Sequence, residues 1–261
     1  MLMGTKQLGA RIVYRRLVRE LKAACLDLVL PPHCPGCGAG RGELDAGYRL
    51  CRPCRVHLEG IPPGGCRRCG EPLAAPGRCS YDHRPLQGIA FARAPFRYRG
   101  TGGALVRRFK LAGDFGALSL LAKAMAEVVG SSLMPEWRHA RIVAVPLHRL
   151  RRRARGFDQA ELLAQAVATR LSLCCVASCL RRSRATRPQG DPRVLSRALN
   201  VDGAFEVERP QVVCGQRIVL IDDVTTSGAT ARACARVLLA AGAHEVALLT
   251  SCRARTLSAT L

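Results

Sequence analysis

The chain has 261 residues, enough for one medium-sized domain and a small appendage, and its 48% hydrophobic content excludes a wholly disordered polypeptide. Aromatic residues make up only 4%, so the core has to be aliphatic, and no run reaches the ~18 apolar residues of a membrane-spanning helix. The net charge of +22 disfavours cationic partners; only four of the 41 basic residues are lysines (Lys6, Lys22, Lys110 and Lys123), so arginine, a bidentate match for phosphate, sets the surface character. Such an excess favours polyanionic partners. Arginine filling ordinary solvated faces accounts for it equally well, because no aromatic-interleaved nucleic-acid module accompanies it.

At the N-terminus, Val13, Leu17, Leu21, Ala24 and Leu28 recur at helical spacing, which predicts an amphipathic helix over roughly residues 8–30. Arg15, Arg16, Arg19, Glu20 and Lys22 interrupt the apolar run a secretory signal requires, so a soluble, cytoplasmic chain is expected. Fourteen cysteines in such a setting point to metal rather than disulfides. Cys34-x-x-Cys37 and Cys51-x-x-Cys54 form two pairs with Gly38 after the first, where a tight knuckle needs positive φ. Four thiolates at that spacing predict a structural zinc ribbon. Cys66-x-x-Cys69 followed by Gly70 repeats the form, with Cys79 as third ligand and either Asp82 or His83 as fourth; imidazole favours His83. His33 and His57 read as ordinary surface residues, and Cys25, Cys174, Cys175, Cys179, Cys214, Cys234 and Cys252 as buried, inert thiols.

Pro62-Pro63-Gly64-Gly65 separates the two metal sites, and the texture changes near Pro85–Gly88. We therefore divide the chain into an N-terminal helix (1–30), a double zinc ribbon (31–86) and an α/β domain (87–261). Ile89–Tyr98 reads as strand, Ala104–Lys110 and Ala117–Val129 as helices, Ile142–Val145 as a buried strand, and Asp158–Leu171 as a helix. This alternation predicts a parallel sheet.

Arg217–Ala231 carries the densest chemistry. Ile218–Ile221 is a short β-branched run expected of a strand buried on both faces, and it ends at Asp222 and Asp223, at the sheet edge where open α/β folds place ligands. Thr225, Thr226, Ser227, Gly228, Ala229 and Thr230 then offer hydroxyls, unhindered N–H groups and a Ser/Thr cap for a helix starting near Ala229, a cradle for an anion. The acids suit sugar hydroxyls or a divalent metal, and a ribose 5-phosphate meets both halves. After the middle strand, Pro146–Glu161 is strongly basic; Arg151, Arg152, Arg153 and Arg155 suit a pyrophosphate, with Gly156 admitting close backbone approach, though a solvated basic turn has the same composition.

The segment from Arg217 resembles the phosphoribosyl pyrophosphate signature of type I phosphoribosyltransferases. Over about Leu26–Ser251 the chain resembles the ComF/GntX family, in which a double zinc ribbon precedes such a domain. The resemblance rests on the Leu-Pro-Pro-x-Cys entry ending at Cys34, the Phe-Lys-Leu-x-Gly-Asp run ending at Asp114, the Arg155–Gln159 motif, Pro188-Gln189, Arg197 with Asn200, and the phosphate loop. Asp158 departs from the family's Asn, and Asp82 or His83 from its eighth cysteine. The resemblance implies that Asp222 and Asp223 hold the ribose, that the loop holds the 5-phosphate and that Arg151–Arg155 hold the diphosphate with Mg²⁺. It also implies that Arg181–Arg193 form a mobile flap. It implies pentosyl transfer to an acceptor the sequence does not specify, or a role as a single-stranded-DNA-binding accessory or phosphoribosyl pyrophosphate sensor alongside DNA-uptake proteins.

Overall fold

The computed structural model describes residues 33–40, 44–45, 47–130, 135–149, 152–153, 156–184, 201 and 203–254. The expected helix at 8–30 lies outside the described residues, as do Arg151, Arg155, Pro188, Gln189, Arg197 and Asn200. In chain order the elements are α1 (Arg52–Val56), β1 (Ala92–Arg93), β2 (Phe96–Arg97), α2 (Gly100–Ala112), α3 (Phe115–Gly130), β3 (Arg141–Ala144), α4 (Gln159–Leu171), β4 (Cys174–Cys175), β5 (Leu180–Arg182), β6 (Phe205–Val207), β7 (Arg217–Thr225), α5 (Ala229–Ala240) and β8 (Glu245–Arg253). No helix among them is long and apolar enough to cross a membrane.

The β-branched runs at 218–221 and 246–249 alternate between two apolar environments, and this alternation makes the architecture. Val219, Ile221, Ala247 and Leu249 face α2, α3 and α4, whereas Ile218, Leu220, Val246 and Leu248 face α5 and the β5–β6 hairpin. The sheet is parallel, in the order β1-β8-β7-β3-β4, with β2 also paired to β8. The parallel α/β class with a preceding ribbon is thus as expected. The predicted strand over 89–98 is corrected: it breaks into two two-residue strands around Ala94-Pro95, because proline has no N–H for a ladder. The carbonyl of Pro95 instead accepts the N–H of Ile61, from the ribbon.

Each ribbon belongs to one face of the sheet. Cys34 and Leu50 pack with Phe96, Leu105 and Phe109 on the first face, while Cys66 and Cys69 pack with Ala92 and Leu248 on the second. Beside the second knuckle Glu71, 1% exposed, is gripped by two arginines of the sheet. Arg97 donates to both of its carboxylate oxygens, with Nη1 at 2.7 Å, and Arg253 Nη1 lies at 3.1 Å while also donating to the Cys69 carbonyl.

Candidate functional site

Both knuckles are built by the same hydrogen bonds. Cys34 N–H donates to the Ala39 carbonyl and Gly38 N–H to that of Cys34; Cys66 to Glu71 and Gly70 to Cys66 repeat the pattern, at 2.7–2.9 Å. Gly38 and Gly70 have φ of 81° and 77°, as the spacing predicts. The loops gather Cys34, Cys37, Cys51 and Cys54 in one cluster and Cys66, Cys69, Cys79 and His83 in another, each with its ligand atoms within 4.8 Å of one another. None of the described cysteines is in a disulfide. Burial pushes the Cys34 thiol up, but backbone N–H groups, led by that of Cys51, outweigh it and bring it down to about 7. Two soft, tetrahedral-sized donor sets of this kind fit structural zinc.

Asp82 and His83 are told apart by their partners. Asp82 accepts from the backbone N–H of Arg84 at 2.9 Å and from its Nε at 2.8 Å, whereas His83 Nε2 lies 3.5 Å from Cys66 Sγ. His33 is exposed as expected, with its Nε2 3.0 Å from Asp114 Oδ2. One minor expectation is corrected: Cys174 and Cys214 are exposed and Cys175 half-buried rather than buried.

At the other site, β7 runs on past the expected strand end to Thr225, so Asp222 and Asp223 lie within its last four residues. Asp222 Oδ1 accepts the N–H of Asp223 at 2.8 Å, and Ser251 Oγ donates to the Asp223 carbonyl at 2.5 Å. Burial, reinforced by the neighbouring charge of Asp223, pushes the Asp222 carboxyl up to about 8. The Thr225–Gly228 turn follows, and α5 starts at Ala229 as expected. Its N-cap is not the expected Ser or Thr, however, but Gly228 in a left-handed conformation (φ 69°) with no side-chain cap bond. Gly228 therefore offers no side chain to the first-turn N–H groups of α5. Within the loop, Ser227 Oγ is buried and has no hydrogen-bond partner among the described residues.

The basic segment leaves the same sheet edge one strand away, since β3 neighbours β7 and the Val145 N–H donates to the Ile221 carbonyl at 2.8 Å. Arg152 and Arg153 are both exposed, and Arg152 Nη2 lies 3.5 Å from Glu161. Gly156 has φ 78° with open space around it. A cavity of about 420 Å³ opens here, lined by Arg149, Arg152, Asp158, Arg181, Arg182 and Glu208. The start of the supposed flap is ordered: Arg181 and Arg182 belong to β5, and Arg181 pairs with Glu206 and Glu208 at 2.6 and 2.9 Å. The remainder of that stretch, from residue 185, lies outside the described residues.

Asp158 lines this cavity with its carboxylate held by backbone N–H groups. Its Oδ1 accepts the N–H groups of Ala160 and Glu161 at 3.0 and 3.3 Å, capping α4, and its Oδ2 accepts that of Leu147 at 2.9 Å. One site residue was missed by the sequence reading. Lys110, from the last turn of α2, places Nζ 2.6 Å from Asp223 Oδ2. Its signal was available in the Phe-Lys-Leu-x-Gly-Asp run and in the scarcity of lysine.

Residues 25–81 match the double zinc ribbon domain family, ending two residues short of His83. The chain is 33% identical over 195 residues to DNA utilization protein YhgH of Salmonella typhimurium, covering 72% of this chain and 83% of that protein. It is 27% identical over 200 residues to competence protein ComFC of Bacillus subtilis, covering 74% of this chain and 79% of that one. A solved glutamine phosphoribosylpyrophosphate amidotransferase from B. subtilis superposes with a TM-score of 0.33 and 21% identity, over 63% of this chain and 30% of that structure. Since a relative one-third identical matches along most of both chains, and the ribbon model falls on the cysteine pairs, the protein belongs to the ComF family.

Proposed function

We propose that the protein binds phosphoribosyl pyrophosphate at the β7 edge and acts in the cytoplasm as a phosphoribosyltransferase-like protein tied to DNA uptake or nucleotide metabolism. The observation carrying this reading is Ser227 Oγ, a buried hydroxyl without a partner at the head of a helix capped by no side chain. A buried polar group left unpaired costs free energy, and a 5-phosphate supplies its acceptor. Thr225, Thr226, Ser227, Gly228, Ala229 and Thr230 hold that phosphate, and Asp222 and Asp223 accept the sugar hydroxyls. The basic segment, with Arg151, Arg152, Arg153, Arg155 and Gly156, faces the diphosphate. Mg²⁺, were it held beside Asp222 and Asp223, would supply positive charge to the diphosphate. Expelling pyrophosphate from C1 passes through a cation-like transition state, which asks for positioning and charge stabilisation, and the acid pair beside Lys110 is the group offered for positioning the sugar.

Calorimetry with phosphoribosyl pyrophosphate and Mg²⁺ tests binding, and release of pyrophosphate in the presence of candidate acceptors tests turnover. Gly228→Val places a β-branched residue at φ 69° in the cradle and should weaken both phosphoribosyl pyrophosphate and ribose 5-phosphate by about tenfold. Wild-type protein, folded and zinc-loaded, that shows no heat and no thermal shift at millimolar ligand would sink the assignment.

The arginine excess and the names of the relatives support a second partner, single-stranded DNA. Arg67 and Arg68 stand exposed between the ligands of the second knuckle. Binding through phosphates should show little sequence preference and fall steeply between low and physiological salt. A salt-independent affinity in fluorescence anisotropy would contradict it.

A further inference from the structure

Lys110 reaches the acid pair from an element whose end is firmly braced. Phe109 beside it is buried and packs against Phe157 with ring centroids 5.8 Å apart. Gly113 closes α2 in the left-handed conformation (φ 62°), and Asp114 then accepts from Arg108 Nε and Nη2 at 3.0 and 2.7 Å and from the Ala117 N–H at 3.0 Å. These contacts fix the last turn of α2 and with it the reach of Lys110. The ammonium lies 2.6 Å from Asp223 Oδ2, with the lysine side chain 27% and the aspartate 15% exposed, a largely enclosed pair at the mouth of the site. The other titratable groups that bear on the pair are Asp158 at the start of α4, Cys234 on α5 and Cys252 on β8. The Lys110 charge acts on Asp222 against the burial and the Asp223 charge that push that carboxyl up.

We propose that Lys110 is a positioning residue of the ligand site, holding the Asp223 carboxylate in the orientation that accepts the vicinal hydroxyls of a ribose 5-phosphate. The proposal rests on the ribose reading of the β7 edge. A carboxylate beside a second carboxylate is otherwise turned by repulsion, and a cation fixed by its own helix selects one rotamer before ligand arrives. Because the cation belongs to the chain, this orientation needs no metal ion.

The test uses the full-length, zinc-loaded protein as wild type, Lys110→Met and Lys110→Arg. Ribose 5-phosphate is titrated calorimetrically in Mg²⁺-free buffer, and the aspartate carboxyl carbons are followed by NMR against pH. Lys110→Met should bind ribose 5-phosphate about tenfold more weakly, the loss expected when one charge-assisted hydrogen bond no longer orders the acceptor, and Lys110→Arg should restore most of it. In the free protein the Asp222 inflection near pH 8 should move upward in Lys110→Met and stay close to wild type in Lys110→Arg, because the cation favours the charged carboxylate. A merely structural lysine would lower the thermal midpoint without moving that inflection. Unchanged affinity in Lys110→Met, or an unmoved inflection, overturns the proposal. If wild type itself takes no ribose 5-phosphate, the ribose reading fails, and the carboxyl titration, which needs no ligand, still decides whether Lys110 governs the pair.

Discussion

Stripping zinc from the reduced protein should unfold more than the ribbon. The two clusters hold short segments with few apolar residues of their own, and metal coordination in isolated zinc modules contributes about 10–16 kcal/mol, as much as the whole stability of an ordinary domain, about 5–15 kcal/mol. Here the ligands are also core residues. Cys34 is fully buried among Leu105, Phe109 and the helices of one face, and Cys66 and Cys69 are buried against the other. Losing the metal therefore leaves crowded thiols facing both layers of the sheet. The expected result is loss of the near-ultraviolet signal of Trp137, which is buried against Phe91 with ring centroids 4.9 Å apart, together with a melting transition that is much lower or no longer cooperative. Metal analysis should first find about two zinc ions per chain, and His83→Ala should remove about one. An unaltered melting curve after complete chelation would show that the clusters are ornaments on a self-sufficient domain.

Glu71→Gln should cost about 3 kcal/mol, a fall in midpoint of about 10 °C. The carboxylate is almost fully enclosed and serves two arginines from different strands, so the substitution strands buried cations rather than simply deleting a bond. Burial by itself pushes Glu71 up, but the Arg97 hydrogen bond and the charges of Arg253 and Arg97 outweigh it and hold the carboxyl below its ordinary value. Its contribution is thus present above the unfolded carboxylate range, near pH 4, and is lost as pH falls through the lower folded value. Wild type should accordingly lose more stability than Glu71→Gln on acidification below about pH 4. Glu59→Gln, at the exposed pair with Arg99, should leave the midpoint nearly unchanged; equal effects at the two positions would refute the account.

What could be read from sequence was what local spacing determines. A Cys-x-x-Cys followed by glycine encodes its own knuckle, and a β-branched run, two acids and a Thr/Ser/Gly turn encode their own strand, loop and helix start. The errors arose where a distant partner decides. Glu71 carries no local signal of its role, since Arg97 and Arg253 stand 26 and 182 residues away. Lys110 was noted as part of a motif, but only the packing of α2 against the sheet shows that it reaches Asp223. The departure at Asp158 is legible in sequence as a charge without a direction; three backbone N–H groups donate to that carboxylate. At Gly228 propensity favoured a hydroxyl cap, whereas the loop turns through a conformation that hydroxyl residues rarely adopt.

The helix α2 is fastened at both ends. Near its start Thr101 Oγ1 donates to the Cys54 carbonyl at 2.7 Å, and the Thr101 N–H to that of His57; at its finish Lys110 meets Asp223. Its 13 residues form a strut of about 20 Å between the first cysteine cluster and the acid pair. Freezing a lysine side chain costs up to about 2 kcal/mol of rotamer entropy. In this arrangement that cost falls on assembly of the ribbon and its metal, before any ligand is met. The zinc module thereby bears on the preorganisation of an acid pair it does not touch, and the unfolding that follows loss of the metal should reach that pair through α2.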